Sequence, residues 1–165
     1  MKNKHLSQLI CVLLVLTMVL SGCGKIDIES YSKKVKDLSA QLEYVSAALG
    51  NMGSWEANFL KALGKSSDQT VDRAYSWLEE NSDYTQKGLE QAHEQIMGVY
   101  SAISEETKGE EETAIFEQLT VLYNDYLVLH DIVINDPSYS NVASNLLDAF
   151  KTVYADIEAM DECLK

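Results

Sequence analysis

Proline is almost missing from this chain: Pro137 stands alone in 165 residues, and glycine occurs only eight times. Both residues interrupt helices, so their scarcity favours long uninterrupted helical segments. No Pro/Gly/Ser stretch is long enough to separate two domains, and no segment is of low complexity. Sustained period-two alternation of apolar and polar residues is also missing, which removes the usual mark of half-buried strands. Basic residues are in deficit, with 13 Lys and Arg against 26 Asp and Glu and a net charge of -13. A surface of that sign repels nucleic acid and anionic lipid, and suits neutral or cationic partners, or partners bridged by divalent ions.

Motifs of chemistry are lacking as well. The chain has no Gly-x-Ser-x-Gly, no His-Glu-x-x-His and no glycine-rich phosphate loop. The acidic run "SEETKGEEE" at 104–112 lacks the alternating oxygen ligands of an EF-hand and fits a solvated turn followed by a capped helix start. Glu90 and His93 have the Glu-x-x-His spacing of di-metal carboxylate bundles. Such a site needs a second inward pair, and His130 follows Leu127 where an acid is required. Counted along the helices, His130 is expected about 13 Å from His93, with both as flank residues. No metal, cofactor or enzymatic activity is therefore expected.

What is present begins at the amino terminus. Lys2 and Lys4 make a positive start, Leu9–Leu20 is an apolar run broken only by Thr17, and Ser21 and Gly22 follow. The run is short for a membrane span, which needs about 20 residues, and the layout is that of a secretory signal peptide over residues 1–22. Leu20-Ser21-Gly22-Cys23 then resembles the lipobox of bacterial lipoproteins. That resemblance covers the first 23 residues. It implies cleavage before Cys23, a diacylglyceryl group on its thiol and attachment to a bacterial membrane. Residues 23–26 would be the lipidated cysteine and a short tether. Each buried methylene contributes about 0.8 kcal/mol, so two or three acyl chains hold without a transmembrane helix. Losing Lys2 and Lys4 but no acid with the signal shifts the charge from -13 to -15. Cys163 would then be the one remaining thiol, either a plain helix-end residue or the partner of an intermolecular disulfide.

Residues 27–165 read as one domain. Apolar residues recur in alternating steps of three and four through four registers. The first is Tyr31, Val35, Leu38, Leu42, Val45, Leu49 and Met52, resuming at Phe59 after Glu56. The second runs from Val71 through Leu89, Ile96 and Ile103, with Ser82 and Thr85 as a polar interruption. The third runs from Ile115 through Leu122 to Val133, and the fourth from Val142 through Val153 and Ile157 to Leu164. This is the seam pattern of helices packed nearly parallel or antiparallel. It predicts helices at about 27–63, 68–104, 109–135 and 139–164. Capping boxes are expected at Ser66/Gln69 and Thr107/Glu110. The short links predict an all-α, antiparallel up-down-up-down four-helix bundle with a longer first helical hairpin.

The longer hairpin is expected to overrun the last turn by about ten residues, or about 15 Å. Gly50 and Gly53 lie where that overrun begins, as either a close helix contact or a bend. Trp55, Phe59 and Trp77 lie beyond. They either cover the hairpin's own core or form an exposed aromatic tip of the kind enriched at binding hot spots. Tyr100, Tyr123, Tyr126 and Tyr154 are expected in the core with hydroxyls at its rim. In architecture the chain is loosely similar to small helical cell-wall-associated lipoproteins of Gram-positive bacteria. The leading reading is a non-enzymatic interaction or structural module of the cell envelope. Its partners would be the membrane, through the lipid on Cys23, and an envelope protein or cell-wall component. The rival reading is a small-molecule or cation-binding lipoprotein with its site beside Ser82 and Thr85.

Overall fold

The computed structural model describes residues 27–63, 86–135 and 139–165. Among them the secondary structure is all helical: α1 Ile28–Leu63, α2 Gln86–Glu106, α3 Glu110–His130 and α4 Tyr139–Cys163. A π-helical segment, Asp131–Asn135, carries α3 onward. The stretch expected to begin the second helix, including Ser66, Gln69 and Val71, lies outside the described residues.

The seams are where the apolar periodicity places them. Tyr31, Val35, Leu38, Leu42, Val45, Leu49 and Met52 are all buried along α1, as are Leu89, Ile96 and Ile103 on α2. Ile115, Leu119, Leu122, Tyr126, Leu129 and Val133 follow on α3, and Val142, Leu146, Val153, Ile157 and Met160 on α4. Ile132, Val133 and Ile134 are buried in succession. The wider π turn changes the angular step between residues, so three neighbours face inward where an α-helix would turn one of them out.

The helices do not contribute equally. The close backbone seams join α1 with α3, α1 with α4, and α3 with α4, whereas α2 makes its own close seam with α1. α1 is thus the hub, buried on more than the single stripe its apolar residues mark. Ser39 and Ser46 are buried on it too. The glycines serve this close approach. A Cβ on Gly50 would collide with the Phe150 ring, and one on Gly53 would lie 2.9 Å from Leu146 and 3.1 Å from Val133. α1 runs through both positions as continuous helix. Gly50 and Gly53 are therefore packing residues. They do not lie beyond the support of α4, because α4 starts early enough to flank α1 past residue 53. At the same stagger Val142 lies level with about residue 57, so the expected overrun does not begin near residue 52.

Between α2 and α3 the backbones stay apart and rings fill the gap. Tyr100 stacks on Tyr123 at 4.0 Å between centroids and lies 5.2 Å from Phe116. Its hydroxyl meets Thr120 Oγ1 at 2.9 Å. The α2–α3 link is tied down by α1: Tyr31 Oη meets Thr107 Oγ1 at 2.7 Å, and Lys34 Nζ donates to Glu106 Oε1 at 2.8 Å. Thr107 also donates to the Ile103 carbonyl, so it closes α2 and is not free to cap α3. In place of the expected Thr107/Glu110 box, the N-cap is Gly109 and only the acidic half of a box is present, two residues later. The Glu112 carboxylate accepts the backbone N–H groups of Lys108 and Gly109, both at 2.8 Å. Those two bonds hold its pKa below the ordinary carboxylate value.

Candidate functional site

The expected site residues divide into those the structure describes and those it does not. Trp55 is 43% exposed on α1. Phe59 belongs to α1, but its side chain lies outside the described residues, together with Trp77, Cys23, Ser82 and Thr85. Trp55 is thus the one member of the proposed tip whose ring is placed. Glu90 is exposed, as an outward residue of α2 should be. Cys163 is the last residue of α4, and its thiol is exposed.

The histidines overturn an expectation. His93 and His130 are not about 13 Å apart; their rings stack with centroids 4.0 Å apart and planes 22° from parallel. The reason lies in the turn. The facing pairs Tyr100–Thr120 and His93–Tyr126 centre the α2–α3 pairing near residue 110, about three residues beyond the expected midpoint at 107. That shift lets His93 face both Tyr126 and His130. Imidazole side chains then reach across the remaining distance.

The pair sits in a defined polar setting. His93 Nδ1 and the Tyr126 hydroxyl lie 3.1 Å apart. Tyr126 is fully buried, and that burial pushes its phenol pKa upward. His130 is 6% exposed, and its Nε2 is buried with no hydrogen-bond partner. Burial and the neighbouring His93 lower the His130 pKa to about 4. Burial also lowers that of His93, against a smaller opposing effect of Glu94. Both rings are neutral near pH 7. Among the described residues no group of three His, Cys, Asp or Glu is placed to hold a metal ion.

His93 and His130 line an open cleft of about 800 Å³. Its walls follow from the fold. α2 closes against α1 and not against α4, so a channel is left between α2 and α4 with the end of α3 as its floor. The α4 wall presents Asn141, Asn145, Asp148 and Thr152, which share one helix face by their spacing. Asn145 donates to Asn141 Oδ1 at 2.7 Å, and Asn135 donates to Asp131 Oδ1 at 3.1 Å.

Comparison with protein-family models, with curated proteins and with solved structures yields no match. The chemistry of the described residues therefore rests on their own geometry.

Two further acids, one half-buried and one fully buried, complete the electrostatic picture. Asp156 faces Asp125, and burial together with that second carboxyl raises its pKa. Glu56 is 0% exposed, and neither carboxyl oxygen has a hydrogen-bond partner. Burial raises its pKa to about 8. Glu56 occupies an α1 seam position between Met52 and Phe59. The sequence signal for its burial is that register alone, an acid where the period requires an apolar residue.

Proposed function

We propose that this chain is a lipid-anchored extracytoplasmic protein. It is acylated at Cys23 and presents an antiparallel up-down-up-down four-helix bundle as a non-enzymatic interaction or structural module of a bacterial envelope. The observation that carries the reading is Leu20-Ser21-Gly22-Cys23 at the end of a charged start and an apolar run. The described helices are compatible with attachment through lipid, since none is long and apolar enough to cross a membrane. The bundle topology draws support from residue pairs that ascend one helix as they descend the other. Gly50 with Phe150 and Gly53 with Leu146 are such pairs on α1 and α4; Tyr100 with Thr120 and His93 with Tyr126 are such pairs on α2 and α3.

In this reading α1 carries the chain outward from the tether, and Trp55, with Phe59 and Trp77, belongs to the partner-facing end. The exposure of Trp55 supports that assignment. The host membrane is the cytoplasmic membrane's outer face in a Gram-positive cell and the outer membrane in a Gram-negative one. The direct experiment is Cys23→Ser in the native host. Loss of incorporated labelled fatty acid and release from the membrane fraction are expected. Undiminished membrane retention with residues 1–22 still attached would show that Leu9–Leu20 is the anchor and defeat the lipid reading.

A further inference from the structure

We propose that the cleft between α2 and α4 is a binding site for a small organic cation bearing ammonium or guanidinium N–H groups. The inference is independent of how the chain is anchored. An open volume of about 800 Å³ suits a small ligand, for which pockets of roughly 300–1,000 Å³ are usual. The polar lining is built from acceptors. Asp131 on the floor and Asp148 on the α4 wall bring two carboxylates, and the side-chain amides of Asn141 and Asn145 bring carbonyl oxygens. Among the described residues no Lys or Arg lines the cleft. Lys151 approaches Asp148 only to 4.0 Å, with both side chains well exposed. A surface cleft of one sign raises the local concentration of the opposite charge.

The histidines fit the same ligand. Two imidazoliums stacked at 4.0 Å would repel a cation, but both rings have lowered pKa values and are neutral near pH 7. His130 adds an independent observation. It is more than nine-tenths buried against the cleft floor, and its Nε2 lacks the partner that a buried polar atom ordinarily finds. An anion is disfavoured by the two carboxylates. A metal ion is disfavoured because, among the described residues, no three donors converge.

The test is titration of the full chain at pH 7 and low salt, followed by NMR of the imidazole ring protons. The probes are putrescine, agmatine, tetramethylammonium, glucose and Zn²⁺. Putrescine and agmatine are expected to shift the His93 and His130 resonances saturably, and tetramethylammonium, which has no N–H, to bind more weakly. Asp131→Asn and Asp148→Asn should each weaken binding about five- to tenfold, the worth of one partly solvated charge contact. Asp161→Asn, near the far end of α4, should leave it unchanged. The proposal falls if neither amine produces a saturable shift, if glucose or Zn²⁺ alone does so, or if Asp131→Asn and Asp148→Asn both bind as the parent does.

Discussion

Glu56→Gln isolates the largest electrostatic liability in the described structure. The Glu56 carboxyl is fully buried, and its pKa rises from 4.5 to about 8. The folded state therefore holds a proton that the unfolded chain gives up near pH 4.5, so stability falls as pH rises between those two values. At about 1.36 kcal/mol per pKa unit, the loss between pH 5 and pH 8 comes to about 3 kcal/mol. Other groups titrate in or near the same range. His93 and His130, with lowered pKa values, weaken the fold as pH falls below about 6.5. Asp156, with a raised one, weakens it as pH rises above the ordinary aspartate range. These contributions are common to parent and variant and cancel in their difference. Chemical denaturation of both proteins at pH 5 and pH 8 is the assay. Glu56→Gln should gain on the parent by about 3 kcal/mol across that interval, whatever its absolute stability at pH 5. Parallel pH dependences in the two proteins would refute the burial of an ionisable, unpartnered Glu56.

Packing supplies the other tests. Leu122→Ala and Ile157→Ala should each cost about 2–5 kcal/mol in denaturant melts, because both side chains lie in the core; Trp55→Ala, at a half-exposed ring, should cost clearly less, and an equal loss would make Trp55 a core residue. Gly50→Ala should destabilise by about 1–3 kcal/mol through collision with Phe150, despite the better helix propensity of alanine. In a Phe150→Ala background the same change should become neutral or stabilising, and persistence of the full loss would mean the clash is not the cause.

The apolar registers were legible because burial of area acts on every turn of a helix, and a period of three and four survives small errors of level. The relative heights of His93 and His130 were not legible, since they depend on where a hairpin turns. Thr107 read as an N-cap by spacing, yet its hydroxyl is engaged by Tyr31 and the Ile103 carbonyl. Contacts remote in sequence decided between two local options. Ser39 and Ser46 look like a polar flank in a linear reading, and only the hub position of α1 explains their burial. Glu56 carried a visible signal as an acid in an apolar register. The cleft had no linear signature at all, because it arises from a helix pair that does not close.

Among the described helices the hub is made before the others, and the one it packs against most extensively is made after them. Phe150 meets Gly50 only after about a hundred further residues have been made. Until then the stripe from Tyr31 to Met52 has no permanent cover from α4, and the entropy of closing so long a loop must be met before the contact returns anything. α1 therefore spends its early life as an amphipathic helix exposed to any apolar surface nearby. Folding of this protein should depend on how soon α4 becomes available, and deleting α4 should harm it more than its distance from α1 in the sequence implies.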